Sequence, residues 1–170
     1  MMHVGLFTGV AVPLLGHFAL GYEVQTPPLD TDWTYDVGTD PWPEYPRPQL
    51  QRENWQSLNG IWKFNPADGQ EGVPAVPVPG TLSQDVLVPS CLESGLSGIQ
   101  TQNITTAWFE TEFNLPKWSN SSERILLNFE AVDYEATVYV NGEEAGFHRG
   151  GYWRFTVDVT KFVKRGANTL

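Results

Sequence analysis

The sequence contains little cysteine and little histidine, and both shortages exclude kinds of site. Its 170 residues include a single cysteine, Cys91, so no internal disulfide can form and a disulfide-stapled scaffold is excluded. Cys91 is predicted to be a small buried hydrophobe. Two of the three histidines, His3 and His17, lie in an apolar leader. A Cys/His zinc site is therefore excluded in the rest of the chain, and we expect no metal and no cofactor.

Positive charge is also scarce. The chain has 10 Lys and Arg against 20 Asp and Glu, which gives a net charge of −10 and a pI near 4.6. Nucleic-acid binding needs a basic face for the phosphates, so we expect no nucleic-acid partner. Aromatic residues make up 13% of the chain, which is too many for a disordered protein. The 16 glycines and 13 prolines argue against a helical bundle and favour an all-β sandwich of short strands and many turns.

The first 21 residues contain no Asp, Glu, Lys or Arg, and their apolar run extends from Val4 to Leu15. Small residues, Ala19 and Gly21, stand at positions −3 and −1 of a cleavage point before Tyr22. These features predict a signal peptide over residues 1–21, an extracellular location and no membrane contact after cleavage. The leader lacks the usual basic start, so an apolar start that belongs to the fold or to a misplaced gene start is the alternative.

Two Asn-x-Ser/Thr acceptor sequences agree with a secreted protein. They begin at Asn103 and Asn120, neither has proline in the middle, and both stand between predicted strands. They predict N-glycosylation at Asn103 and Asn120, although so short a motif often occurs by chance.

Residues 22–54 form a distinct segment, which we call the arm. Six prolines between Gln25 and Gln51 are predicted to prevent a regular helix or a central strand. Aromatic side chains alternate there with acidic ones; the aromatic ones are Trp33, Tyr35, Trp42 and Tyr45. We expect an extended arm packed onto a surface. An exposed aromatic platform for a sugar is the alternative, although buried aromatic residues are the commoner use.

Residues 55–170 alternate between apolar and polar positions with a period of two, which predicts half-buried antiparallel strands. The predicted strands are Gly60–Phe64, Val76–Val78, Val86–Pro89, Ala107–Leu115, Arg124–Val132, Ala136–Val140, Trp153–Thr160 and an incomplete last strand, Ala167–Leu170. In the predicted strand Trp153–Thr160, the face toward the core carries Trp153, Phe155, Val157 and Val159. The dipeptide Asn141-Gly142 predicts a hairpin turn.

Several motifs in this region resemble one family. Trp55–Phe64 reads W-x-x-L-x-G-x-W-x-F, and Val88–Ile99 reads V-P-x-x-x-E-S-x-L-S-G-I. Trp108–Phe113 is similar to a W-Y-x-x-x-F strand. Leu127–Gly142 reads L-x-F-x-x-V-D-x-x-A-x-V-x-V-N-G, and Gly146–Phe155 reads G-x-H-x-G-G-Y-x-x-F. In this order the motifs resemble the N-terminal domain of glycoside hydrolase family 2, which includes β-galactosidases, β-glucuronidases and β-mannosidases.

The resemblance implies a jelly-roll β-sandwich of the galactose-binding type over residues 55–170, often called the sugar-binding domain. In that family an immunoglobulin-like sandwich and a TIM barrel follow, and two glutamates of the barrel perform retaining hydrolysis. These later domains would be partners of this region, and a β-glycoside would be the carbohydrate substrate of the intact enzyme. No family catalytic residue maps onto this chain, so we expect the chain alone to be inactive.

The resemblance also suggests which residues stand near the sugar or face the barrel. Four belong to the loop after the predicted strand Val86–Pro89, namely Glu93, Ser94, Ser97 and Gly98. Trp62, Trp108 and Trp153 are candidates for sugar-stacking platforms, and Trp108 is the best of them. Core or domain-interface packing is the alternative for all three and the commoner use. His148 and Arg149 are expected in a glycine-rich turn that meets a sugar or a neighbouring domain, or that is simply a surface turn.

Retaining glycoside hydrolysis needs two carboxyl groups about 5–5.5 Å apart in one cleft. Glu110 and Glu112 share the polar face of a predicted strand, which a solvated surface explains. Glu143 and Glu144 are adjacent in a hairpin and should point to opposite faces. We therefore predict no catalytic residue. A stand-alone carbohydrate-binding module and a purely structural sandwich are the alternative functions.

Overall fold

The computed structural model describes residues 21–67, 75–115 and 123–170. Within these ranges the chain is almost entirely β, as predicted, and every strand pairing is antiparallel. The strands are β1 Gly60–Pro66, β2 Gln84–Val88, β3 Ala107–Glu110, β4 Glu112–Leu115, β5 Leu126–Phe129, β6 Glu135–Val140, β7 Glu143–Arg149, β8 Phe155–Asp158 and β9 Gly166–Thr169. The architecture is an all-β sandwich.

The strands join mostly in pairs that are distant in sequence. β1 lies between β2 and β3, whereas β4 pairs with β9, β5 with β8 and β6 with β7. The β5–β8 register places Leu127 opposite Val157, and both side chains are buried. The predicted alternation therefore faces the core where these strands pair.

One apolar cluster forms the core of the second half of the chain. Its buried members come from β4, β5, β6 and β8 and the residue after β8, and they are Phe113, Leu127, Val138, Val140, Val157 and Val159. A second group of buried side chains lies on β1 and β2, with Phe64, Val86 and Leu87 almost fully buried. Each such side chain contributes about 1.5–3 kcal/mol by leaving water.

The prediction of one continuous strand over residues 107–115 was wrong. The chain forms two strands there, and they separate at Thr111: β3 pairs with β1, and β4 pairs with β9. Thr111 exchanges two backbone hydrogen bonds with Leu170, each 2.9 Å long. The segment thus changes partner strands at Thr111, and period-two alternation cannot reveal such a change because it continues through it.

The hairpin prediction at Asn141-Gly142 is confirmed. Asn141 and Gly142 connect β6 to β7 with φ values of 53° and 86°, the left-handed conformation that this turn requires. The Asn141 side chain also donates a 2.9 Å hydrogen bond to the buried Asn168 side chain on β9. The turn residue therefore ties the hairpin to β9.

Two smaller predictions were wrong. Residues 76–78 form no strand, because Pro77 and Pro79 interrupt the backbone donors that a strand ladder needs. In the arm, a short helix α1 spans Trp33–Asp36, within the proline-free stretch between Pro28 and Pro41. A one-turn 3-10 helix follows at Pro48–Leu50.

Several contacts join the arm to the rest of the described chain, although Leu29, Trp33 and Trp42 of the arm are largely exposed, and the packing of the arm as a whole stays a prediction. The Asn59 side-chain amide donates a 3.0 Å hydrogen bond to the Pro41 carbonyl. The Tyr45 ring meets Trp55 edge-on at 5.0 Å between ring centres, and Arg47 forms a 2.6 Å ion pair with Glu130.

Candidate functional site

Residues Glu93–Ile99, which we call the rim loop, follow β2 and contain a one-turn 3-10 helix at Gly95–Ser97. Ser97 is fully buried. Its hydroxyl oxygen accepts hydrogen bonds from the Ile99 amide at 2.9 Å and the Gln100 amide at 3.1 Å. It also lies within 3.0 Å of the carbonyls of Leu92 and Ser94. These contacts show that Ser97 builds the loop from inside and is not available to a ligand.

Of the other three predicted residues of the rim loop, Ser94 and Gly98 also shape the loop, whereas Glu93 does not. The Ser94 hydroxyl donates a 2.7 Å hydrogen bond to the Cys91 carbonyl. Gly98 adopts φ 81° at the end of the 3-10 helix, where a residue with a side chain would be strained. Glu93 is exposed, so it is the predicted rim residue whose side chain is free to face another surface.

The prediction that Cys91 is buried was wrong, because the structure places it on the surface. Cys91 lies in the turn that precedes the rim loop, and its carbonyl accepts from both the amide and the hydroxyl of Ser94. The Cys91 carbonyl thus stabilises the turn, and the Cys91 side chain is exposed to solvent.

Residues Gly150–Arg154, which we call the aromatic loop, connect β7 to β8. Tyr152 is 96% exposed and Trp153 is 74% exposed. The prediction that Trp153 faces the core was therefore wrong. The apolar and polar residues alternate from Trp153 onward, but β8 begins only at Phe155, so Trp153 lies in the loop and its side chain is not buried. Tyr134, the residue before β6, is exposed and is bonded to this loop, since its carbonyl accepts from the Gly150 amide at 2.8 Å.

A stack of flat rings supports the aromatic loop from behind. His148 lies parallel to Phe155 with 4.0 Å between ring centres, and Phe155 lies parallel to Phe129 at 4.6 Å. His148 Nε2 is 3.2 Å from the Gly150 carbonyl. His148 and Arg149 were expected in a glycine-rich turn, but the structure places them on β7, just before it. Arg149 forms an ion pair with Glu135 across the hairpin.

Asp133 adds a close packing contact to this region. A Cβ atom at Gly151 would lie 2.4 Å from the Asp133 carboxylate, so a residue with a side chain at position 151 would force the Asp133 side chain to shift. The double glycine of the motif therefore serves close approach in the loop, and the two residues after it are the ones that are exposed.

Trp108, the predicted platform, is half-buried on β3 and packs at 5.7 Å from Tyr139 between ring centres. This packing agrees with core packing, the alternative to a sugar platform that the sequence left open for Trp108. No hydrogen bond, ion pair or ring contact between described residues joins Trp108 or His148 to the rim loop. The predicted site residues thus fall into separate groups.

An open depression of about 250 Å³ contains both glutamates of the β3–β4 segment. Its lining consists of Ile61, Lys63, Gly80, Glu110, Thr111 and Glu112. Glu110 accepts a 2.8 Å hydrogen bond from the Gly80 amide, and Lys63 is paired with Asp85 at 2.6 Å. Because Glu110 already serves a backbone contact and Glu112 is exposed, the solvated-face interpretation fits both.

Two of the shifted pKa values belong to Asp158, at a strand end, and to Tyr22, in the arm. Hydrogen bonds from Thr160, through its hydroxyl and its amide, together with the Arg124 guanidinium, lower the pKa of Asp158 at the end of β8 to about 2. Burial raises the pKa of the Tyr22 hydroxyl, which donates to the Leu96 carbonyl at 2.6 Å. Asp158 thus stabilises the end of β8, and Tyr22 connects the arm to the rim loop.

Other predictions stay predictions. The signal peptide over residues 1–21 and the glycosylation site at Asn120 lie outside the described residues, except for Gly21. Asn103 is exposed with φ 66° in the loop before β3, and its glycosylation is untested. Within the described ranges, no helix has the length and apolar character needed to cross a bilayer. No group of three or more His, Cys, Asp and Glu side chains in those ranges is placed to hold a metal ion.

Comparison with known proteins points to one family. Residues 62–170 match the glycosyl hydrolase 2 galactose-binding domain-like family. A putative β-glucuronidase of Formosa agariphila is 41% identical over 121 residues, which are 71% of this chain and 11% of that protein. The β-glucuronidase of Canis lupus familiaris is 30% identical over 148 residues, 79% of this chain and 22% of that protein.

Solved structures agree. A β-glucuronidase from an uncultured Clostridium species superposes with a TM-score of 0.55 at 28% identity, over 71% of this chain and 22% of that one. The chain therefore spans between 11% and 22% of the length of these relatives.

Proposed function

The chain belongs to the glycosyl hydrolase 2 family as its non-catalytic galactose-binding-like domain, and we propose that it supports the catalytic domain of a β-glucuronide hydrolase through the aromatic loop. The relatives described above are named β-glucuronidases, although another, 37% identical over 60 residues, is named a β-galactosidase; the names support glucuronides as the substrate class among the β-glycosides. In this proposal the reaction retains configuration, and both of its carboxyl groups come from outside this chain. The immunoglobulin-like and barrel domains of the same protein are the partners.

The exposed pair Tyr152 and Trp153 is the observation that carries this proposal. Two large aromatic side chains standing in water are unfavourable for an isolated domain and typical of a surface that another surface covers. The ring stack and the Asp133–Gly151 contact hold the backbone beneath them. A preorganised aromatic loop of this kind suits a domain interface at the edge of a sugar site.

The first experiment compares the 170-residue chain with the longer native protein on an aryl β-glucuronide. The short chain should show no turnover, because Glu110 is bonded to a backbone amide and Glu112, on the same segment, is exposed to solvent. Any turnover that disappears in the Glu110→Gln or Glu112→Gln variant would show that this domain is itself catalytic.

The second experiment tests the aromatic loop in the longer protein. Trp153→Ala should lower kcat/KM at least tenfold if the loop positions the barrel, since small misplacements at a site cost large factors. Trp42→Ala is the matched control, because Trp42 is 67% exposed but lies in the arm. Equal activity of the two variants would contradict a role for the aromatic loop.

The same exposed pair also fits the stand-alone carbohydrate-binding module that the sequence left open. Aromatic rings that stand free in water can stack on pyranose rings. Calorimetry of the 170-residue chain with glucuronate and with a neutral glycoside distinguishes the two functions. Binding that is lost in Trp153→Ala would favour the module, and absence of binding would favour the supporting domain.

A further inference from the structure

The first residues of the arm run alongside the rim loop and are bonded to it repeatedly. The Gln25 amide donates to the Gly95 carbonyl at 2.9 Å, and the Tyr22 hydroxyl donates to the Leu96 carbonyl at 2.6 Å. The side-chain amide of Gln100, directly after the rim loop, donates to the Thr26 carbonyl at 3.2 Å. These contacts join residues more than 65 positions apart in the sequence, so they are tertiary, and they all fall on the rim loop or on the residue that follows it.

Two glycines of the rim loop make room for the arm. A Cβ atom at Gly95 would lie 2.3 Å from the Gln25 carbonyl oxygen and 2.9 Å from a Pro27 ring carbon. A Cβ atom at Gly98 would lie 2.8 Å from Cδ2 of the Tyr22 ring. Both positions are therefore shaped to receive the arm, because any side chain there would displace it.

We propose that Tyr22–Thr26 is a strap that holds the rim loop in position, and that Tyr22 is its positioning residue. Ser97 fixes the inside of the loop, and the strap fixes the outside, which leaves the exposed Glu93 as the part that faces away from the domain. The strap itself rests on the contacts above. That it orients a rim of the sugar site rests on the proposed function.

The test compares two glycines that have nearly the same backbone conformation. Gly98 has φ 81° and Gly80 has φ 79°, but nothing lies within 4 Å of a Cβ at Gly80. Gly98→Ala and Gly80→Ala therefore carry similar backbone strain, and Gly98→Ala also pushes against the Tyr22 ring. Hydrogen exchange of the 170-residue chain is the measurement, since exchange reports local opening.

In Gly98→Ala, the amides of Gln25, Ser97 and Gly98 should exchange about tenfold faster or more, because the strap is displaced. In Gly80→Ala they should be unchanged. The amides of β6 serve as the internal control and should be unaffected in both variants. Equal exchange at the strap and loop amides in the two variants would overturn the proposal.

Removal of the Tyr22 ring, alone and together with Gly98→Ala, completes a double-mutant cycle. Tyr22→Ala alone should release the loop. Adding Gly98→Ala to it should then have a smaller effect than in the native chain, because the clashing ring is gone and only the backbone strain and the contact with the Glu23 carbonyl remain. Additive effects of the two substitutions would contradict the strap.

A milder variant keeps the test valid if Gly98→Ala fails to fold. Tyr22→Phe removes only the hydroxyl and should speed exchange of the loop amides about fivefold, the usual effect of losing one hydrogen bond. Unchanged exchange would overturn the role of Tyr22. None of these measurements depends on enzymatic activity, so they can fail while the proposed function holds, and the reverse.

Discussion

Ser97 in the rim loop is fully buried, whereas Trp153 in the aromatic loop is 74% exposed, although both loops join strands and both contain glycines that permit close approach. In the rim loop, polar side chains satisfy backbone groups of the loop itself, and the arm covers the outside. In the aromatic loop, backbone contacts and the ring stack lie behind, and the large side chains extend into water.

The difference separates residues that hold a loop together from residues that are available to a partner. A hydroxyl whose hydrogen-bonding capacity is used within the protein cannot also recognise a sugar. An aromatic ring that contacts little of its own domain contributes little to the stability of that domain. The two loops should therefore respond in opposite ways to substitution, and four measurements can sharpen or break this comparison.

The largest effect is expected for Ser97→Ala. The change leaves the partly buried Ile99 and Gln100 amides without their acceptor, which should cost about 2–3 kcal/mol in the free energy of unfolding for the two together. Urea denaturation of the 170-residue chain measures this cost. Ser94→Ala, which removes one hydrogen bond to a carbonyl, is the control and should cost about 1 kcal/mol or less. Equal losses of stability in the two variants would contradict the claim that the Ser97 hydroxyl stabilises the loop more than an ordinary single hydrogen bond does.

A medium effect is expected at the ring stack beneath the aromatic loop. His148→Ala should cost about 1 kcal/mol, because it removes a flat ring stacked at 4.0 Å on Phe155. His148→Phe keeps a flat ring and should recover most of this loss. Thermal unfolding of both variants provides the measurement. If His148→Phe is as damaging as His148→Ala, the ring stack is not what stabilises this region.

Trp153→Ala should change the free energy of unfolding by less than about 0.5 kcal/mol, because the ring is mostly in water. The same chemical denaturation serves for the comparison with Ser97→Ala. A loss above about 1 kcal/mol, the size of an ordinary packing or hydrogen-bond contribution, would mean that Trp153 is part of the packing of the domain. The contrast between the two loops would then fail.

The smallest effect concerns pH and lies on β8, the strand that follows the aromatic loop. The pKa of Asp158 is lowered from 3.8 to about 2, so its carboxylate stabilises the fold when ionised. That contribution is complete above about pH 4 and is lost as the pH falls toward about 2. Unfolding midpoints measured from neutral pH down to the pKa of Asp158 should fall more in the native chain than in Asp158→Asn. Parallel curves for the two proteins would contradict this assignment.

Much of the strand content could be predicted from alternation. Val138, Val140, Val157 and Val159 occupy the core positions that a period of two assigns to them. The hairpin at Asn141-Gly142 could also be predicted, since that dipeptide has a local conformational preference. The change of partner at Thr111 could not, because alternation is the same whichever strand lies alongside.

The candidate site was harder to predict for the same physical reason. Ser97 and Gly98 were recognised as residues of interest from their motif, but Ser97 is buried within the folded loop, and Gly98 lies against the Tyr22 ring, more than 65 residues away in sequence. The exposed pair Tyr152 and Trp153 was missed as a pair, because Trp153 fits the alternation of β8 although β8 begins two residues later. The signal that could have found it is the double glycine just before it, which ends the regular pattern.

By itself, the sequence determined the class of fold, the hairpin and the family, because periodicity, turn chemistry and motif order are local properties of the chain. Tertiary structure alone decided which strands pair, which loop residues are buried and which side chains remain free. Those outcomes depend on contacts between distant segments, such as Tyr22 with Gly98 and Thr111 with Leu170, and no local preference specifies such contacts.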